Sequence, residues 1–243
     1  MSEIILVDAH CHVHEYNADE IKSFSNIRIA GVAMDLESSG ATLELARKFR
    51  NIDPFVGIHP WNLHKNLGQL ENIKRLAVSG EVAGIGEVGV DSRFAKAPFK
   101  EQLKVFNEIC KLAAERGLPL NVHALGGWDS VVKTCLRFGV KSLLLHWYTG
   151  PIGLLKEIKD AGYFISINPA VMIQQKHMQI LREADMDIIL TESDGPYKYR
   201  GIELNPRSLP GLLNTIASVK RLSVEEVSGL IYENYLRFLR SST

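Results

Sequence analysis

Residues 82–122 read VAGIGEVGVDSRFAKAPFKEQLKVFNEICKLAAERGLPLNV, with a short apolar run at each end and a long amphipathic segment between them. The runs are Val82–Val90 and Leu118–Val122. The segment Pro98–Arg116 places apolar residues three and four positions apart, which is the spacing of a helix with one buried face. Gly117 follows as the residue expected to end that helix, because glycine adopts the left-handed conformation without strain. The stretch therefore predicts two parallel strands joined by a crossover helix.

The same alternation of strand and helix patterns extends over the rest of the chain. A second helical pattern covers Ala41–Arg50. Six further apolar runs are short, mostly continuous and bounded by turn residues, as expected for strands covered on both faces: Ile4–Val7, Ile27–Met34, Pro54–Ile58, Ser142–Leu145, Tyr163–Ile167 and Asp187–Leu190. Eight strands alternating with helices predict an α/β fold of the (β/α)₈ TIM-barrel type, with an open doubly wound sheet as the alternative.

The last part of the chain predicts two extra C-terminal helices within Arg207–Arg240. Ser223 is expected to cap the second of them, with Glu226 at the position that completes a capping box. No long linker, low-complexity segment or internal repeat interrupts the sequence. We therefore expect one domain over residues 1–243.

The composition excludes several classes of protein. Lys+Arg and Asp+Glu number 28 each, so nucleic acid could be held only by a local basic patch. No apolar run approaches the roughly 20 residues of a membrane-spanning helix, and the start of the chain lacks a signal segment. Three cysteines are too few, and odd in number, for a disulfide framework, which predicts a cytoplasmic location with no membrane contact.

Histidines and carboxylates gather where the predicted strands end. Five of the eight histidines lie there, as do two carboxylates: His10, His12, His59, Glu87, His123, His146 and Asp194. Barrel enzymes build their sites at the carboxyl ends of the strands, so we expect these side chains to meet at one end of the barrel.

The residue types in this group predict a metal centre. His10 and His12 are two positions apart, so on a strand their imidazoles project from the same face, whereas Cys11 points away into the packing. Nitrogen and oxygen donors without a thiolate suit Zn²⁺, Mn²⁺ or Mg²⁺. Six donors exceed the three protein ligands typical of one catalytic metal, which favours two divalent ions sharing a carboxylate. Asp8 either orients one imidazole or lies solvated in a loop.

With these motifs in place, the sequence resembles the TatD-related family of metal-dependent hydrolases, in the amidohydrolase superfamily of barrels. The resemblance runs over the whole chain, with the motifs in the family's order: VDAHCH (7–12), GIHPW (57–61), GEVGVD (86–91), PLNVHA (119–124), HWYTG (146–150) and ESDGPY (192–197).

The resemblance implies a role for each matching residue. His10, His12 and Asp194 would hold one metal, His123 and His146 the other, and Glu87 would bridge them. Asp194 would also act as general base in a metal-assisted hydrolysis, and His59 would contact the substrate. Many relatives are deoxyribonucleases that remove nucleotides from DNA ends with Mg²⁺, so the expected substrate is DNA, single-stranded or at its ends.

Two positions that are not predicted ligands depart from the family and leave the substrate open. His14 stands where relatives usually have a small acidic or amide residue, and Leu125 where they commonly have an arginine suited to phosphate. Arg93, Tyr197 and Arg200 offer basic and aromatic substrate contacts instead, although solvated loops account for them equally well.

Two alternatives to a deoxyribonuclease therefore stay open. One is a lactone, amide or ester hydrolase with the same metals and no nucleic acid substrate. The other is a metal-containing binding protein without turnover, which would require degenerate ligands. The oligomeric state does not follow from the sequence.

Overall fold

The computed structural model describes residues 4–240. Eight parallel strands pair in the order in which they occur along the chain: β1 Leu6–Cys11, β2 Ile27–Gly31, β3 Ile52–Val56, β4 Gly84–Gly89, β5 Leu120–His123, β6 Leu143–Leu145, β7 Phe164–Ile167 and β8 Ile189–Thr191. A helix follows every strand: α1 Ala18–Ser23, α2 Leu36–Lys48, α3 Leu63–Asn66, α4 Leu70–Ala77, α5 Phe99–Arg116, α6 Trp128–Phe138, α7 Leu155–Asp160, α8 Gln175–Glu183, α9 Leu209–Lys220 and α10 Val224–Leu239.

Hydrogen bonds between β1 and the chain around β8 close the sheet into a barrel. The Thr191 hydroxyl donates to the Val7 carbonyl over 2.6 Å. The Asp194 amide donates to the His10 carbonyl over 2.9 Å, and the His12 amide to the Gly195 carbonyl over 2.8 Å. The predicted (β/α)₈ barrel is confirmed. The doubly wound alternative is wrong, because its strand order would reverse at a switch point.

Of the two helices that the sequence predicts most clearly, one ends where it was predicted to end and the other begins earlier than predicted. Helix α5 ends at Gly117, whose φ of +63° lies in the left-handed region, as expected. Helix α2 begins at Leu36 instead of Ala41, five residues earlier than predicted. Asp35 accepts from the Ser38 amide in a capping box, and the polar first turn hides this start from the apolar pattern.

The predicted C-terminal helices are α9 and α10, and the capping box of Ser223 and Glu226 is confirmed. Helix α10 crosses the end of the barrel where the strands begin. Asn234 donates to the carbonyls of Met186 and Ile189 beside β8 over 2.7 and 2.8 Å. Helix α10 therefore seals the amino end of the barrel, and the carboxyl end is left to the loops.

Two details place site residues differently from the sequence prediction. Strand β1 runs to Cys11 instead of ending at Val7, so His10 lies within the strand and not after it. The segment after β8 is a hairpin of β9 Tyr197–Tyr199 and β10 Ile202–Leu204. Arg200 and Gly201 form its turn with φ of +46° and +88°, the positive values that tight hairpins need. Over residues 4–240, no helix is both long and apolar enough to cross a membrane.

Candidate active site

The Glu87 carboxylate lies between two pairs of imidazoles at the carboxyl end of the barrel. Its Oε2 atom is 3.5 Å from Nε2 of His10 and 3.5 Å from Nε2 of His12. Its Oε1 atom is 2.9 Å from Nε2 of His146 and 3.1 Å from Nδ1 of His123. Glu87 is 2% exposed. One buried carboxylate thus presents a different oxygen to each histidine pair.

Asp194 completes the group on the Oε2 side. Its Oδ1 atom is 3.5 Å from Nε2 of His10 and 3.6 Å from Nε2 of His12. The residue has a φ of +55°, a left-handed conformation that aspartate tolerates better than most side chains. The structure therefore brings together the six predicted ligands: His10, His12, Glu87, His123, His146 and Asp194.

The spacing of these atoms fits divalent cations. A tetrahedral ion with bonds of about 2.1 Å holds its donor atoms about 3.4 Å apart, close to the 3.5–3.6 Å around His10 and His12. An octahedral ion with similar bonds holds them about 3.0 Å apart, close to the 2.9–3.1 Å among Glu87, His123 and His146. In the described part of the chain, no lysine or arginine pairs with Glu87 or Asp194, and the buried Nε2 of His10 has no hydrogen-bond partner.

The pKa shifts within the cluster, meaning the six predicted ligands, also favour a bound cation. Burial alone would raise the pKa of Glu87, but the imidazoles of His59, His146 and His10 outweigh it and hold that pKa well below its usual range. Burial would lower the pKa of His146, yet Glu87 and Glu192 raise it well above its usual value. The carboxylates thus favour positive charge on the imidazole of His146. A bound cation would supply the same positive charge.

Partners outside the cluster fix which imidazole nitrogens face inward with a lone pair. The Asn121 amide donates to the Ala9 carbonyl over 2.7 Å, so its oxygen accepts from Nδ1 of His10, also over 2.7 Å. The Asp91 carboxylate accepts from Nε2 of His123 over 2.9 Å. These bonds leave Nε2 of His10 and Nδ1 of His123 as the free nitrogens, and both face Glu87.

His59 has the opposite arrangement. The main-chain amide of Trp61 donates to its Nδ1 over 3.1 Å, so Nε2 must carry the proton. That Nε2 lies 3.1 Å from Oε1 of Glu87 and donates to it. Burial lowers the pKa of His59 to about 4, so the ring is neutral at pH 7. His59 is thus placed as a hydrogen-bond donor to Glu87, and it is only 3% exposed.

Three partners of the cluster were not predicted from the sequence: Asp91, Asn121 and Glu192. The Glu192 carboxylate accepts from the Trp147 amide over 3.0 Å and lies 3.8 Å from Nδ1 of His146. Asp91 and Glu192 follow strands β4 and β8, Asn121 lies within β5, and all three belong to the motifs GEVGVD, PLNVHA and ESDGPY. Their position was a usable signal, because metal-binding histidines nearly always donate their second nitrogen to a carboxylate or carbonyl group.

Asp8 fits neither of the two sequence interpretations. It lies fully buried in β1, and burial raises its pKa to about 7. Its Oδ1 atom accepts from the Ser193 amide over 2.8 Å. Between residues 4 and 240, its hydrogen bonds reach main-chain amides and no imidazole ring. Asp8 therefore ties β1 to the segment that holds Asp194.

The predicted substrate residues Arg93, Tyr197 and Arg200 are exposed at the same end of the barrel, Arg93 on the loop after β4 and the other two on the hairpin after β8. Over residues 4–240, no hydrogen bond or ion pair joins their side chains to the cluster. Of the two departures from the family pattern, His14 packs edge-on against His12 with ring centroids 5.7 Å apart, and Leu125 is half-buried.

Comparisons with known proteins agree with this fold and site. The TatD related DNase family matches residues 7–240. An uncharacterized metal-dependent hydrolase from Methanocaldococcus jannaschii is 29% identical over 99% of both chains. The human deoxyribonuclease TATDN3 is 27% identical over 96% of this chain and 93% of its own.

The solved structures show the same fold. The TatD homologue YJJV from Escherichia coli K12 superposes with a TM-score of 0.85 at 21% identity, covering 97% of this chain and 98% of that one. A TatD-family hydrolase from Entamoeba histolytica gives a TM-score of 0.82 at 17% identity, covering 100% of both chains. Since the family match spans nearly every described residue, this chain belongs to the TatD related DNase family, a family of metal-dependent hydrolases.

Proposed function

We propose that this protein is a deoxyribonuclease that cleaves phosphodiester bonds with two divalent cations. The observation that supports it best is the Glu87 carboxylate, whose two oxygens face two separate groups of donor atoms. Glu87 would bridge the two ions, and the other ligands would divide between them: His10, His12 and Asp194 around one, and His123 and His146 around the other.

In this proposal the protein's own residues hold the ions and move one proton. Bound divalent cations supply Lewis-acid activation of water and neutralise charge on phosphate oxygens. Asp194 acts as general base: burial would raise the pKa of its carboxyl, but His12 and other imidazoles keep it below its usual value, so the group is ionised. Its side chain is 13% exposed against 2% for Glu87, so water reaches Asp194 more easily. Glu87, held by His59, keeps its charge and orientation.

A DNA substrate is supported by a relative and by the surface around the site. The human relative is named a deoxyribonuclease. The loops at the same end of the barrel expose Phe94, Tyr197, Arg93 and Arg200. Exposed aromatic rings stack unpaired bases, and arginine binds phosphate, so this combination suits single-stranded DNA or frayed ends.

The proposal is tested with end-labelled single-stranded DNA and Mg²⁺, Mn²⁺ or Zn²⁺ supplied in turn. We expect metal-dependent shortening that weakens as salt rises, because phosphate contacts release counterions. Asp194→Asn, purified in the same way, is the control for contaminating nucleases and should be at least about 100-fold slower. Cleavage that survives metal removal, or that Asp194→Asn retains in full, would contradict the proposal.

A second candidate function is hydrolysis of a lactone, amide or ester by the same metal centre. It is favoured by Leu125, which stands where relatives commonly have an arginine, and by the balance of 28 basic and 28 acidic residues. A panel of small esters and lactones distinguishes the two functions. Turnover of such a compound that is insensitive to salt, together with no cleavage of DNA, would favour this candidate.

A further inference from the structure

Trp61 makes hydrogen bonds to two residues, His59 and Asp91, that themselves contact the predicted metal ligands. Its main-chain amide donates to Nδ1 of His59, and Nε2 of the same imidazole donates to Oε1 of Glu87. Its indole Nε1 donates to Oδ2 of Asp91 over 2.5 Å. The same Asp91 oxygen accepts from Nε2 of His123 over 2.9 Å. A single residue beside the cluster therefore braces the partners of both the bridging carboxylate and a predicted metal ligand.

Asp91 is held firmly enough to transmit this contact. It is 1% exposed. Its Oδ1 atom accepts from the amides of Arg93 and Phe94 over 2.7 and 2.8 Å. The Gln102 side chain bonds both its main-chain amide and its carbonyl. Oδ1 of Asp91 thus accepts from main-chain amides of the loop, whereas Oδ2 accepts from both the Trp61 indole and the His123 imidazole.

The indole of Trp61 is also part of an open surface. Trp61 is 37% exposed and Phe94 is 66% exposed, and their rings lie edge to face with centroids 6.1 Å apart. The Trp61 ring also lies 5.9 Å from the His123 ring. The other two tryptophans are placed differently. Trp147 donates to Gln174, and Trp128 packs half-buried against Tyr148. Trp61 alone among the three tryptophans combines an exposed ring with a bond to a partner of a predicted ligand.

We propose that Trp61 is a positioning residue that links a stacking surface for a planar group, formed by Trp61 and Phe94, to His123 through Asp91. That the planar group is an unpaired base rests on the proposed function; the link itself does not. A ring stacked on Trp61 restricts the indole and keeps its N–H on Asp91. Asp91 then holds the His123 imidazole with Nδ1 facing inward and makes it a more basic ligand. Substrate binding would thereby hold the His123 imidazole more firmly in the orientation of a metal ligand.

Three variants separate the two parts of this proposal. Trp61→Phe keeps an aromatic ring in the surface and removes the N–H together with the rest of the five-membered part of the indole. It should weaken the binding of one of the two Zn²⁺ ions by about tenfold, the usual loss when a partner of a metal ligand is removed, and lower kcat with little change in KM. Phe94→Ala removes half of the surface and should raise KM for DNA several-fold. Trp128→Phe is the matched control and should change neither.

The decisive measurement follows Zn²⁺ binding without any DNA. In the Trp128→Phe/Trp147→Phe background, Trp61 is the only tryptophan, and its emission, excited at a wavelength that tyrosine does not absorb, should shift as Zn²⁺ is added. Adding Asp91→Asn to that background should reduce the shift. Wild-type affinity for both ions in Trp61→Phe would overturn the proposal. If that variant fails to fold, unchanged Trp61 emission at saturating Zn²⁺ overturns it instead. A protein that cleaves no DNA but shows the fluorescence shift would reject the proposed function and retain this link.

Discussion

Nε2 of His59 lies 3.1 Å from Oε1 of Glu87 and donates a hydrogen bond to it. The main-chain amide of Trp61 occupies the other ring nitrogen, so His59 has no free lone pair to offer an ion. The Glu87 carboxylate, the proposed bridge, thus meets a neutral donor on the side that faces His123 and His146. This relationship distinguishes His59 from the histidines whose inward nitrogens are free acceptors.

His59→Ala should therefore leave both metals in place and lower turnover. Removing the donor frees Oε1 of Glu87 to rotate, so we expect kcat to fall about 10- to 100-fold while two ions per chain remain at saturating metal. His59→Gln, whose amide can also donate, should recover part of the rate. Elemental analysis of both variants checks this. Loss of one full metal equivalent from His59→Ala would make His59 a ligand.

Lowering the pH should weaken metal binding, and the loss should begin above the usual pKa range of histidine. Burial lowers the pKa of His146, His123 and His12, but neighbouring carboxylates outweigh it, so each pKa is raised above 6.5. As pH falls through those raised values, the imidazoles bind protons and compete with cations. Affinity should drop by about tenfold per pH unit for each proton displaced. Zn²⁺ titrations at pH 8, 7 and 6 measure it. Constant affinity down to pH 6 would contradict the protonation argument.

The amino end of the barrel should matter for stability and not for the metals. The Tyr235 hydroxyl on α10 donates to Oδ2 of Asp53 over 2.8 Å, and Arg28 pairs with the same carboxylate. Tyr235→Phe removes one buried hydrogen bond to a charged group and should cost about 1.5–3 kcal/mol of unfolding free energy. Tyr232→Phe, one turn earlier and half-buried, is the control. Denaturant melts measure the loss, and a change in metal content would contradict the separation.

The barrel and the clustering of the six predicted ligands at one end of it could be predicted, because both follow from local sequence patterns. Short apolar runs mark the strands, and His123 and His146 each come directly after the residue at which a run ends. The partners of those ligands could not be predicted with the same ease. Asp91 accepts a hydrogen bond from His123, and Asn121 accepts one from His10. Both pairings depend on side-chain directions across neighbouring strands. Which nitrogen of His59 carries the proton depends on a main-chain amide two residues later.

We expect the hairpin after β8 to contribute to substrate binding, and a single glutamine holds this hairpin in place. Gln174 accepts from the Trp147 indole over 3.0 Å and donates to the Tyr199 hydroxyl over 2.7 Å. It therefore pins the hairpin that exposes Tyr197. Gln174→Ala should raise KM for single-stranded DNA several-fold with metal content unchanged, and the exposed neighbour Gln175→Ala is the control. Steady-state kinetics decide, and an unchanged KM would show that the hairpin does not contact the substrate.

The metal content of folded Glu87→Gln tests the central claim most directly. The substitution keeps the shape of the side chain and removes the charge that balances two neighbouring cations. His123→Ala, measured beside it, removes a ligand of one ion only. Elemental analysis, with the melting temperature as a check of folding, should show both ions weakened together in Glu87→Gln and mainly one in His123→Ala. Two tightly held ions in folded Glu87→Gln would contradict the account, because the bridge would then lie elsewhere.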